Sequence, residues 1–145
     1  MPRDAGETVL KNKHWRVVLA KDQTYLGRCI IILQRHDESL SDVRNEEWVS
    51  FSQVVRGVEA GIREAFGADA FNWTCMMNNA YAEHTPQPHV HWHCRPRYET
   101  SVEFAKLTFE DKEFGKHYDR SANRELSSPV RMAIIAMIQQ SIPLP

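Results

Sequence analysis

At 145 residues, with 42% hydrophobic and 26% charged residues, the chain has material for about one globular domain and needs no disulfide or metal staple to hold a core. Eighteen basic residues against nineteen acidic ones leave a formal charge of −1, which argues against a surface built to bind a long nucleic acid. Three widely spaced cysteines, Cys29, Cys75 and Cys94, form no CxxC pair, so neither a disulfide framework nor a thiolate zinc knuckle is expected, and a reducing, cytoplasmic setting is. The apolar runs at 29–33 and 132–138 are too short to span a bilayer, and the polar residues 1–10 carry no signal-peptide pattern, so no membrane association is expected. Of seven histidines, three crowd between positions 89 and 93.

Residues 14–20 are apolar and β-branched, and the turn chemistry of 22–27 separates them from a second apolar run at 29–33, which predicts two adjacent strands. From Asn45 the period changes. Trp48, Phe51, Val55, Val58, Ile62 and Phe66 recur at steps of three and four, predicting a long helix with Asn45 as N-cap and Gly67 as its stop. Alternation from Phe71 to Met77 predicts a strand, followed by a polar loop over 79–88. The run from His89 to Arg95 again has period two. Residues 100–109 fit either a strand or an extended connection, 114–124 read as polar loop, and Ser128-Pro129 opens a C-terminal helix with Val130, Ile134, Met137 and Ile138 on its apolar face, packed either on its own domain or across a dimer interface as far as Leu144.

Residues at i, i+2 and i+4 of a strand share a face, so His89, His91 and His93 are expected in a row, with Val90, Trp92 and Cys94 turned the other way. At roughly 3.3 Å per residue, neighbouring histidines stand about 6.6 Å apart. That spacing suits an extended polyanion, with the central imidazole over one phosphorus atom. It also lets one i, i+2 pair bridge a zinc ion, with His84 or a cysteine as a further ligand. Imidazole is the side chain best matched to nucleophilic and acid/base work near neutral pH.

The run His89-Val90-His91-Trp92-His93-Cys94-Arg95 closely resembles the signature of the histidine triad (HIT) family, His-φ-His-φ-His-φ-φ with φ apolar; Arg95 departs from the final apolar position. The strand pair around Gly27, the helix before Gly67, and Asn78 eleven residues ahead of the first triad histidine follow the same order, and the resemblance spans about residues 7–98. It implies an α+β fold, an antiparallel sheet of about five strands carrying the long helix, in a single domain over 1–145 with a helical extension at about 128–142.

The activity implied is hydrolysis or transfer at the α-phosphate of nucleoside 5′-phosphoryl substrates, such as dinucleoside polyphosphates or nucleoside phosphoramidates. By resemblance His91 is the nucleophile, His93 contacts the phosphate or bridging oxygen and helps protonate the leaving group, and His89 supports the tautomer of His91. Asn78, Thr85 and Gln87 then bind phosphate oxygens. No metal or other cofactor is required in principle. The expected partners are a purine nucleotide or nucleotide conjugate and a second copy of the chain in a homodimer. Two positions depart from the family. Arg28 follows Gly27 where many members carry a further histidine, and it either contacts phosphate or forms a surface ion pair. The family's ribose-binding acidic position falls near Ala20, with Asp22 close but out of register. A nucleotide-binding module of the same fold with little turnover is the competing reading. Cys94 is expected as a core thiol, His14, His36 and His117 as surface or satisfied histidines, and Trp15, Trp48 and Trp73 in the core.

Overall fold

The computed structural model describes residues 2–143. In chain order it contains β1 (Ala5–Lys11), β2 (Trp15–Ala20), β3 (Cys29–Leu33), α1 (Asn45–Phe66), β4 (Ala70–Thr74), β5 (His91–Arg97), β6 (Val102–Phe104), β7 (Leu107–Phe109) and α2 (Ser128–Ser141). Five strands form one sheet in the order β1-β2-β3-β5-β4, every neighbouring pair antiparallel, while β6 and β7 make a separate hairpin. The α+β class, the long helix and the C-terminal helix agree with the sequence reading. Leu144 lies outside the described residues, and no helix among them is long and apolar enough to cross a membrane.

Both faces of the central strands are buried, which is why β2 and β3 read as unbroken apolar runs. Val17, Leu19, Cys29, Ile31 and Leu33 join the main core under the helices, and Val18, Ala20, Ile30 and Ile32 form a smaller apolar layer on the opposite face. α1 lays Val54, Val58, Ile62 and Phe66 on the main core. The buried stripe is rotated from the one expected, with Val54 in place of Val55, and Trp48 is left 36% exposed. Arg44, not Asn45, is the N-cap: its backbone N–H donates to Glu47 Oε1 at 2.8 Å, and Glu47 also receives Arg35 at 2.9 Å. Gly67 ends the helix at φ 76°, with its N–H on the Arg63 carbonyl.

Three boundaries differ from the sequence reading. β5 begins at His91, so His89 lies in the approach to the strand. β4 stops at Thr74, and residues 78–82 form a 3-10 turn that carries the chain over the sheet. β1 had no counterpart in the sequence reading, because Val9 is its only buried residue and two register irregularities interrupt its pairing with β2. The ambiguous stretch at 100–109 is the β6/β7 hairpin, turned by Ala105 and Lys106 at positive φ (53° and 62°) without the Asn-Gly that marks such turns.

Candidate active site

β5 sets the chemistry by alternation. Trp92, Cys94 and Pro96 point toward α1. Trp92 packs on Phe51 with ring centroids 5.2 Å apart, and burial pushes the Cys94 thiol well above its ordinary pKa, as expected of a core cysteine. His91, His93, Arg95 and Arg97 occupy the other face. Their cross-strand neighbours on β3 are apolar, Ile32 opposite His91 and Ile30 opposite His93. The two imidazoles therefore stand on a dry floor with rings 5.1 Å apart, edge to face.

Hydrogen bonding fixes their tautomers in opposite senses. His91 Nδ1 lies 2.8 Å from the His89 carbonyl oxygen, which can only accept, so Nδ1 carries the proton and the Nε2 lone pair is free. His93 Nδ1 lies 3.1 Å from a guanidinium nitrogen of Arg28, which can only donate, so the proton of His93 sits on Nε2. Burial lowers the pKa of His91 and, with Arg28, His91 and Arg95 nearby, brings that of His93 down to about 3. At neutral pH the site therefore offers one imidazole lone pair and, beside it, one imidazole N–H.

His89 does not complete a linear row. Its Nε2 donates to the Leu33 carbonyl, and its Nδ1 meets His36 Nδ1 at 3.0 Å, so His36 is the donor when His89 is neutral. His89 reaches His91 through its backbone carbonyl and not its ring, which is how it supports the His91 tautomer. His36, expected to play no part, is a member of this chain of contacts.

An open cleft of about 760 Å³ runs over the histidine face. His89, His91, His93, Arg28, Asp22, Thr85 and Gln87 all line it, and Asn79 does so where Asn78 was expected. Asn78 opens the 3-10 turn and lies exposed outside the lining.

A model of the HIT domain matches residues 4–100. The chain belongs to the histidine triad (HIT) family. No curated protein matches the sequence significantly. Among solved structures, a hypothetical histidine triad nucleotide-binding protein from Sulfolobus tokodaii strain7 superposes with a TM-score of 0.71 at 19% identity, covering 94% of this chain and 83% of that one. A histidine triad (HIT) protein from Sinorhizobium meliloti 1021 gives 0.69 at 17% identity, covering 97% and 91%. A Hit-like protein involved in cell-cycle regulation from Bartonella henselae gives 0.65 at 15% identity, covering 98% and 88%. At these identities the structures establish the shared fold, and the family establishes a fold of nucleotide-binding, hydrolase type.

Within this HIT protein the departures from the signature carry their own interactions. Arg28 is buried, not part of a surface ion pair, and it binds Asp4, lies 3.9 Å from Asp22, and donates to His93. Gln23, fully buried, holds the loop that presents Arg28 and Asp22: its Nε2 donates to the Ala20 and Arg28 carbonyls and its Oε1 accepts from Gly27 N–H, all within 2.9 Å. Gly27 supplies the turn at φ 87°, where a Cβ would stand 3.3 Å from Ile62. Asp22 Oδ1 accepts from Thr24 and from the Arg124 backbone N–H.

Asp4, Arg95 and Asn123 also line the cleft and were not anticipated from the sequence. The one signal available was Arg95, a charge where the signature has an apolar residue. Among the described residues no group of three or more His, Cys, Asp or Glu side chains is placed to hold a metal ion.

Proposed function

We propose that the protein cleaves nucleoside 5′-phosphoryl substrates at the α-phosphorus through a nucleotidyl-histidine intermediate. The observation that carries this reading is the opposite tautomers of His91 and His93. The His91 Nε2 lone pair attacks phosphorus; the bond to the leaving oxygen or nitrogen breaks, and its electron pair departs with the leaving group. An N–P bond now links His91 to the nucleotide. Water then attacks the same phosphorus, gives up a proton to solvent, and releases the nucleoside monophosphate with the lone pair of His91 restored.

Hydrogen on His91 Nδ1 stays on the His89 carbonyl throughout, which stabilises positive charge developing on the ring. His93, already occupied by Arg28 at Nδ1, donates from Nε2 to the phosphoryl or bridging oxygen. With its pKa near 3, its part narrows from delivering a full proton to hydrogen-bond donation. Leaving groups that depart as phosphate anions fit this arrangement better than amines, which must acquire a proton. In this reading Asn79, Thr85 and Gln87, which line the cleft, bind phosphate oxygens, and Asp22, which also lines it, takes a ribose hydroxyl.

Purified protein is expected to release AMP from diadenosine triphosphate, with activity surviving a chelator, and an alkaline denaturing quench during turnover is expected to trap AMP on His91, read by mass spectrometry. Saturable nucleotide binding with no AMP from any such substrate converts the assignment to a binding module. Zinc held stoichiometrically, with activity lost on chelation, overturns the metal-free mechanism.

The same reading includes a homodimer. β4 is an open sheet edge, aromatic contacts run to it from Trp48 through Phe51 to Trp73, and α1 beside them leaves Trp48 36% and Val49 62% exposed. Sedimentation of wild type and Val49→Asp tests it, a dimer that Asp disperses being the expected result. A single-domain chain in a reducing compartment fits the three free cysteines.

A further inference from the structure

The triad face of β5 continues past His93 into two guanidiniums whose surroundings are opposite. Arg97 is saturated: its five N–H donors go to Asp111, Asn72 and the carbonyls of Glu113 and Lys116, at 2.7 to 3.1 Å. Arg95, two residues nearer the histidines, makes no hydrogen bond or ion pair to any described residue and lines the cleft. It is nevertheless held in place, stacked on the Tyr118 ring with its guanidinium carbon 3.9 Å from the centroid.

Tyr118 is itself buried and belongs to a segment secured at several points. Its neighbour Asp119 donates a backbone N–H to the Tyr25 phenol oxygen Oη at 2.7 Å, and the Arg124 N–H goes to Asp22. The other cations of the cleft are already matched, Arg3 with Glu83 and Arg28 with Asp4. A guanidinium fixed by stacking, half-buried and with none of its donors bonded to a described residue, two residues beyond His93, is a preformed anion site.

We propose that Arg95, seated on Tyr118, binds a second phosphate of the substrate, beyond the one that His91 attacks. The inference rests on the nucleotidyl-transfer reading for the identity of the ligand. The second phosphate belongs either to a polyphosphate leaving group or to a phosphorylated ribose, and the shared chemistry is a phosphate within reach of Arg95.

The test compares wild type, Arg95→Leu, Arg95→Lys and Tyr118→Leu on substrates sharing one adenylyl group, diadenosine triphosphate and adenosine 5′-phosphoramidate. The kcat/KM ratio between the charged and the uncharged leaving group is expected to fall about ten- to a hundredfold in Arg95→Leu, the range for losing a hydrogen-bonded charge contact. Arg95→Lys retains part of the preference, and Tyr118→Leu loses several-fold. A second arm measures binding of AMP, ADP and adenosine 3′,5′-bisphosphate by calorimetry in a His91→Ala background with and without Arg95→Leu. An Arg95-dependent gain for ADP places the phosphate on the leaving-group side, and one for the bisphosphate places it on the ribose.

Equal losses on both substrates exclude the leaving-group side, and no Arg95-dependent gain for either ADP or the bisphosphate overturns the inference. If wild type releases AMP from neither substrate, the hydrolase reading fails by itself, and the calorimetric arm still decides Arg95.

Discussion

Residues 4–100, which match the HIT domain, and residues 101–143, which follow it, contribute to the same cleft in different ways. The first region supplies His91 and His93, on a strand paired on both sides over a floor of Ile30 and Ile32. The second supplies no imidazole to the cleft. Its hairpin, loop and helix are tied back in part by the buried Arg97–Asp111 pair, by Tyr25 and by Asp22, and they bring Asn123 to the wall and Tyr118 against Arg95. On the proposed reading the reacting groups and most of the cleft lining come from the first stretch, and the second acts on them by seating Arg95 on Tyr118 and by adding Asn123. A strand paired on both sides holds two rings to a fixed spacing, and the later segment is fixed to the same body by Phe109, Ile134, Ile135 and Ile138 in the main core as well as by its polar clamps.

His91→Ala breaks the division most sharply: AMP release is expected to fall by at least about ten-thousandfold, as for loss of a covalent nucleophile, with the thermal unfolding curve unchanged. A stable but active variant places the nucleophile elsewhere. Next in size is Asp111→Ala, which leaves the Arg97 guanidinium buried and unpaired and is expected to cost about 3–5 kcal/mol in urea unfolding. Because Arg97 anchors the later segment, the surviving folded protein is expected to lose leaving-group selectivity before it loses turnover of the phosphoramidate.

Acid sensitivity comes third. The folded-state pKa of His93, about 3, lies below the ordinary value of 6.5, so the unfolded chain binds the proton first and stability is lost as pH falls. Between pH 6.5 and 5.5, above the range where ordinary carboxylates titrate, the loss expected from this residue is about 1 kcal/mol. Arg28→Leu is expected to raise the His93 pKa part of the way back, since burial is the larger cause, as read from imidazole NMR shifts. An unchanged pKa would show that Arg28 does not set the tautomer. The smallest effect belongs to His36→Ala, a two- to fivefold drop in kcat, because its contact with His89 is exposed and two links from the reacting atom. A loss as large as that of His91→Ala would give His36 a direct role.

Much of the frame was legible before the structure. The period-3.6 stripe placed α1, the unbroken apolar runs placed β2 and β3, and alternation put His91 and His93 on one face with Cys94 and Trp92 on the other. The misses share a cause. β1 is an edge strand with one buried residue, so its pattern carries no burial signal. Asn45 looked like a better cap than Arg44 because a side-chain oxygen is the usual device, yet the buried Glu47 reaches back to do the capping. Trp48 fitted the helical stripe but sits at its margin, exposed. Asn78 had the right offset from the triad, but the 3-10 turn it opens directs its neighbour Asn79 into the cleft.

By itself the sequence determined the chemical kind of the site: three histidines in alternation, on a chain whose net charge of −1 suits one local ligand. Local periodicity is enough for that, because which face a strand residue takes depends only on its immediate neighbours along the chain. The state of each imidazole was decided by the tertiary structure alone. Arg28 meets His93 across 65 residues of sequence, and Tyr118 meets Arg95 from beyond the family-matched region. Proton position and anion readiness follow from what is packed against a side chain, and only closure of the whole chain brings those partners together.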